Sequence, residues 1–351
     1  MSKYYDYAAS TPVSDEVLAA MKPWEQQSFA NPSASHHAAV DATKAIQRAR
    51  EKIADEIGAM PSEILFTSGA SESNNLAIKG IAFKHLDEKG HIITSSIEHK
   101  CILNTCSFLE TLGFEVTYIA PDSNGVIDST SVMNAVKDNT ILISIHHINN
   151  ELGTMQPIGE YGAIAFNNNI PFHTDAAQSF CKAEIDVDDM DIDMLSLSGH
   201  KIYGPKGIGA LYIRDARDSD IVPLIHGGGQ ELGLRGGTSP TPLIVGLGCA
   251  VEAFPEDKSL QHRDFDGLIA EFDFKRNGGE RLLSTTWNIT FSSDAEVKRF
   301  FSKHEWLVSQ GSACNAMTNT PSHVLTAIGL DESQARRTYR ISLPPYQGSV
   351  S

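Results

Sequence analysis

The chain has little cysteine, a deficit of positive charge and no long apolar run. Its five cysteines, Cys101, Cys106, Cys181, Cys249 and Cys314, are odd in number and widely spaced over 351 residues. That excludes a disulfide framework and a CxxC metal pattern, and it fits a reducing compartment in which any one thiol is a candidate nucleophile. With 28 Lys and Arg against 44 Asp and Glu, the formal net charge of -16 argues against a direct nucleic-acid surface. No stretch is apolar for the length of a bilayer, and Met1-Ser2-Lys3-Tyr4-Tyr5-Asp6 lacks the core of a signal peptide. A cytoplasmic protein without a membrane partner is expected. The adjacent pairs His36-His37 and His146-His147 would point to opposite faces of an extended segment, so no metal site is expected. What remains is the composition of an ordinary globule, 41% hydrophobic and 21% charged. Its length allows one large core with a smaller appended domain.

Along the chain, apolar runs alternate with segments of helical period. Helices are expected from Ser14 toward Lys22, over 38–57 and on through Leu76 to Phe83, then near 102–112, 131–136, 158–166, 242–254, 295–301 and 321–328. Strands are expected near 63–67, 91–95, 115–119, 141–145, 171–174, 194–197, 210–214 and 287–291. The alternation implies an α/β fold with a mostly parallel central sheet covered on both faces, with ligands at the carboxyl ends of its strands. Pro255-Glu256-Asp257-Lys258 reads as a boundary. A large domain over 14–255 is therefore expected beside a smaller α+β domain over 256–351, which the N-terminal segment 1–13 joins.

The chain is organised around Ser198-Gly199-His200-Lys201 and the glycines that follow. A lysine in a tight loop between two strands can be desolvated, which lowers its pKa and supplies an amine able to form a Schiff base with an aldehyde. Ser198 and His200 flank it with donors suited to phosphate. The helix start at Gly69-Ala70-Ser71 offers free backbone N–H groups to an anion, although Ser71 alone would read as a helix cap. Asp175, at the end of an apolar strand, is the carboxylate best placed to keep a pyridine nitrogen protonated. The acidic run 186–193 reads as a solvated loop. Glu98, His99, Asn149, Asn150 and Gln178 also fall at strand ends. Cys314, in the small and polar stretch 309–320, reads as a thiol in a mobile loop.

These stretches, with Tyr5-Asp6-Tyr7-Ala8-Ala9, Phe66 to Asn75, Glu98-His99, Asn149 to Gly153, His173 to Gln178 and Gly311-Ser312-Ala313-Cys314, resemble the motifs of cysteine desulfurases. These are pyridoxal 5'-phosphate (PLP) enzymes of the class V aminotransferase group and fold type I, and the similarity runs from about Tyr4 to Leu343. The resemblance implies that Lys201 is the Schiff-base lysine and that Cys314 accepts sulfur from L-cysteine as a persulfide. By the same resemblance His99 stacks on the cofactor ring and handles the substrate thiol proton, Asp175 meets the ring nitrogen and Gln178 the ring hydroxyl. Ala70, Ser71, Ser198 and His200 hold the phosphate, joined by Thr238 of a neighbouring subunit in a homodimer. Asn150 and Arg340 hold the substrate carboxylate. A protein sulfur acceptor, a scaffold or a relay, is implied as partner, and the spacing after Cys314 is similar to that of the long-loop branch. Ser71 and Leu232 stand where the family more often has threonine and arginine. Its last helical segment has no counterpart after Ser351, so an abbreviated small domain and altered docking of a scaffold are expected. A selenocysteine lyase, another class V enzyme and a noncatalytic assembly partner are the alternative readings.

Overall fold

The computed structural model describes residues 3–255, 267, 269–311 and 321–344. In chain order the elements begin with β1 (Lys3–Tyr4), α1 (Asp15–Gln26), α2 (Ala38–Ile57), β2 (Ile64–Thr67), α3 (Ala70–Lys84), β3 (His91–Ser95), α4 (Lys100–Thr111) and β4 (Glu115–Ile119). They continue with α5 (Ser129–Ala135), β5 (Thr140–Ser144), α6 (Ile158–Asn167), β6 (Phe172–Asp175), β7 (Met194–Ser198), β8 (Gly209–Ile213) and α7 (Thr241–Glu252). The last are β9 (Phe274–Asn277), β10 (Thr286–Phe291), α8 (Asp294–Lys303), β11 (Trp306–Leu307), α9 (His323–Ala327), α10 (Glu332–Arg336) and β12 (Thr338–Ser342).

Seven strands form one sheet in the order β2-β8-β7-β6-β5-β3-β4. Strands β3 to β7 are mutually parallel, while β8 runs antiparallel to both β7 and β2. The sheet is thus α/β and mostly parallel, with one reversed strand that the chain reaches directly after the Lys201 turn. Apart from the half-exposed edge strand β4, its strands are largely buried on both faces, and alternate residues feed two cores. Ile64 and Phe66 pack with α2, α6 and α7, whereas Leu65, Ile92 and Leu142 pack with α3 and α4.

A second, three-stranded antiparallel sheet has the order β12-β10-β9, and β1 pairs in parallel with β11 beside it. Its core is aromatic: Phe272, Phe291, Phe300 and Trp306 cluster with Ile289 and Ile341. Main-chain bonds join the two regions, from Leu283 N to Gly153 O and from Met155 N to Arg281 O.

Three differences from the sequence-based expectation have local causes. Helix α1 runs past Lys22 and through Pro23 to Gln26, and the chain after it turns back on the Pro23 carbonyl, which accepts from both Gln27 N and Ser28 N. The acidic run is only partly solvated. Asp186 Oδ1 accepts from the N–H of Asp188 and Asp189, Asp193 Oδ2 accepts from Phe172 N, and Arg214 binds Asp188. At the start of α3 the cap position is Gly69, at φ 149°, and Ser71 is the second helical residue. Glycine is demanded twice there, because a Cβ on Gly209 of β8 would stand 2.7 Å from the Gly69 Cα and 2.3 Å from the Leu197 carbonyl oxygen.

Candidate active site

A cavity of about 560 Å³ opens at the carboxyl ends of the parallel strands, and the entry segment before α1 and the turn leading into the reversed strand help to wall it. Ten of the twelve residues singled out from sequence line it: Ala70, Ser71, His99, Asn150, Asp175, Gln178, Ser198, His200, Lys201 and Arg340. They come from six separate places in the chain, and the fold converts that scatter into one wall. Thr238 is exposed and does not line this cavity. Cys314 lies outside the described residues.

Lys201 ends a single 3₁₀ turn, Gly199–Lys201, directly after β7. Its amine donates to the carbonyls of Ala8 at 2.6 Å and Ala9 at 2.9 Å, so the entry segment fixes where the nitrogen stands. The same Ala8 carbonyl accepts from Gln178 Nε2 at 2.9 Å. Asp175 closes β6 and is 7% exposed. Its Oδ2 accepts from Asn74 Nδ2 at 2.7 Å, and its Oδ1 from Ala177 N at 2.9 Å. A carboxylate so bonded is held in one orientation. It is the natural partner of a protonated ring nitrogen.

His99 caps α4, with Nδ1 accepting from Cys101 N at 3.2 Å and lying 3.0 Å from Cys101 Sγ. Burial holds its pKa below the usual imidazole range, with Asp175 opposing and Lys201 reinforcing the shift. The resting ring is therefore neutral, and since Nδ1 accepts, its proton is on Nε2. Burial, reinforced by Lys201, brings the His200 pKa down to about 4, so that ring too is neutral at pH 7. Near Ser71 the first turn of α3 has no capping side chain, which leaves its N–H groups to an anion. Ser198 and His200 stand across from it on the wall that carries Lys201.

Arg340 is 1% exposed, and buried arginine requires a counter-ion. Its Nη2 donates to Asp6 Oδ1 at 2.5 Å and its Nη1 to the Asn150 carbonyl at 2.6 Å, while Nε has no hydrogen-bond partner among the described residues. A guanidinium gripped at both ends, with its Nε–H unpaired, is prepared for an incoming carboxylate.

Sequence reading assigned no role to Asp6, Asn74, Cys101 or the pair Glu98 and His146. A buried Asn on the apolar face of α3, three and four residues before Ala77 and Ile78, was the signal available for Asn74. The thiol of Cys101 lines the cavity, but burial pushes its pKa up to about 12, which leaves it protonated and weakly nucleophilic. Among the described residues no group of His, Cys, Asp and Glu could hold a metal ion, and no helix is long and apolar enough to cross a membrane.

The donor set fits PLP: an amine beside two carbonyls, a fixed carboxylate, a helix start with hydroxyl and imidazole donors, and a buried guanidinium. The comparisons agree with the geometry. The Aminotransferase class-V profile matches residues 3–349. Cysteine desulfurase IscS of Rickettsia prowazekii (strain Madrid E) is 45% identical over 351 residues, covering 97% of this chain and 86% of that relative. Among solved structures, "SspA in complex with cysteine" is 70% identical with a TM-score of 0.96, covering 99% of this chain and 100% of that one. DndA from Streptomyces lividans is 35% identical with a TM-score of 0.81, over 97% and 99% of the two chains. The chain belongs to the class V aminotransferase family and, within that family of PLP enzymes, to the cysteine desulfurases.

Proposed function

We propose that the protein binds PLP in this cavity, converts L-cysteine to L-alanine and leaves the sulfur on Cys314 as a persulfide. The observation that carries the reading is that the Lys201 amine and the Asn74-braced Asp175 carboxylate line one cavity whose wall includes the uncapped start of α3. PLP supplies, when bound, an aldehyde that holds amines and a ring that draws electrons from the carbon beside the amine. Lys201 holds the aldehyde at rest and moves the α-proton as general base once substrate has taken its place. Asp175 meets the ring nitrogen and Gln178 the ring hydroxyl. Ala70 and Ser71, with Ser198 and His200, receive the phosphate.

Arg340 and Asn150 hold the substrate carboxylate, with Asp6 fixing the guanidinium. His99 handles the proton of the substrate thiol, and because its resting proton sits on Nε2 its first act is donation toward sulfur. The Cys314 thiolate forms an S–S bond to the substrate sulfur. The substrate's C–S bond breaks, its electron pair stays on carbon, and protonation there yields alanine. The exposure of Thr238 away from its own cavity supports a homodimer in which each subunit supplies this residue to the other. A cytoplasmic location and a protein acceptor, scaffold or relay of an iron-sulfur or thiolation pathway, complete the proposal. A cofactor-binding unit over 14–255 with a smaller unit over 256–351 is supported by the pairing of β1 with β11, which ties segment 1–13 to the latter.

The test is a single turnover of the PLP-loaded protein with cysteine, followed by alanine assay and intact-protein mass. Alanine and an added sulfur in the wild type, with the sulfur adduct absent from Cys314→Ala, are expected. A loaded wild type that yields neither product would overturn the reading in favour of a noncatalytic partner. Alanine from selenocysteine alone would instead make the protein a selenocysteine lyase.

A further inference from the structure

A second buried acid–imidazole pair reaches the cavity with no role assigned to it. Strand β5 lies between β3 and β6, and its pairing with β6 sets Ser144 opposite His173. The ladder continues through bonds from Ile145 N to His173 O and from His147 N to Asp175 O. Two residues on from Ser144 and His173 stand His146 and Asp175, neighbours on the same side of the pleat. Both line the cavity.

His146 is 4% exposed, and beside it Glu98 is fully buried. The Glu98 carboxylate accepts from His146 Nδ1 at 2.7 Å, from His146 N at 3.1 Å and from Ser95 Oγ at 2.5 Å. His323 Nε2 donates to the Glu98 carbonyl at 3.0 Å, so the loop carrying the carboxylate is itself anchored. Because a carboxylate only accepts, the His146 proton is on Nδ1. Its buried Nε2 has no hydrogen-bond partner among the described residues. A buried polar nitrogen left so is costly unless a ligand completes it.

We propose that His146, oriented by Glu98, accepts through Nε2 a share of the hydrogen bond from the protonated ring nitrogen that Asp175 also faces, as a second polar grip on an aromatic heterocycle. The inference rests on the PLP reading. Glu98 is the positioning residue, and it fixes which nitrogen of His146 faces the cavity.

The apoprotein is titrated with PLP for wild type, H146L, H146Q and E98Q, reading the dissociation constant and the visible absorption band of the bound cofactor. About tenfold weaker binding is expected for H146L, the loss of one buried hydrogen bond. H146Q places an amide near the Nε2 position and is expected to stay within about threefold of wild type. E98Q is expected to shift the band while keeping most of the affinity. Wild-type affinity together with a wild-type band in H146L would overturn the proposal. Should H146L fail to fold, H146M against H146Q carries the test, and equal affinity of the two would overturn it. A wild type that takes no PLP overturns the underlying functional reading, whereas a wild type that binds beside an unaffected H146L overturns this inference alone.

Discussion

The carboxyl edge of the large sheet and the aromatic core of the small one are built on opposite principles. At the edge, carboxylates, imidazoles and a guanidinium are buried and bonded to one another, and three residues that carry an unpaired buried atom (Arg340 at Nε, His146 at Nε2, Asn74 at Oδ1) line one cavity. On one face of the small sheet the buried residues are apolar, with Phe300 edge-on to Phe272 at 5.2 Å and to Trp306 at 5.3 Å, while Asn277, Asn288, Thr290 and Thr338 on the other face satisfy one another. There the ionic groups Glu271, Arg299 and Lys303 stay half-exposed. The edge holds stored, unspent hydrogen-bonding capacity, and the small sheet holds packing energy. Substitutions should therefore separate cleanly into those that damage chemistry and those that damage stability.

The largest effect is expected for Lys201→Ala, a fall in turnover of at least about 10³-fold with little change in the apoprotein's melting, checked by steady-state alanine formation. Phe300→Ala should do the reverse, costing about 3–5 kcal/mol in denaturant unfolding while cofactor affinity of the folded fraction holds. Between the two regions lies the Asp6 and Arg340 pair, since β12 of the small sheet delivers Arg340 into the cavity. Asp6→Asn should raise KM for cysteine by about tenfold with a smaller change in kcat, because Nη2 loses its charged anchor. An unchanged KM would show that Arg340 holds its pose without Asp6.

Acid sharpens the contrast further. Burial lowers the pKa of His147 to about 4 and of His173 to about 3, and both lie under the cavity in β5 and β6 or just beyond. The unfolded chain binds these protons first, so their contribution to stability is present above about pH 6.5 and is lost as pH falls toward those values. Each is expected to steepen the decline by up to about 1.4 kcal/mol per pH unit between pH 6 and pH 4, measured by urea unfolding. Smallest of all is Lys303→Ala, at less than about 1 kcal/mol, since its pairing with Glu271 is solvated.

Much of this was legible in sequence because period and punctuation are local. Helix α2, β3, β4 and β6, and the short turn that ends at Lys201, follow from apolar spacing and glycine placement, and a resemblance in order along the chain named most of the cavity wall. The antiparallel course of β8 was not legible, since an apolar run carries no direction. Nor were the partners of buried charge. Asp6 and Arg340 are 334 residues apart, and Glu98 and His146 are 48 apart. Adjacent histidines also read as a failed chelate, although His146, just beyond β5, lines the cavity. The short β9 and β11 and the helix α10 lack a full period and escaped for that reason.

The first ten residues carry a consequence for biogenesis. Their carbonyls at Ala8 and Ala9 seat the Lys201 amine, yet β1 pairs with Trp306 and Leu307, and Ala8 N bonds Ser342 Oγ. This segment thus waits for partners made some 300 residues later before it can dock. Contacts of such sequence separation close late, so the large sheet can form around an unfinished cavity. The amine finds its fixed place only once β11 and β12 have been made, which makes competence for cofactor a late step of folding.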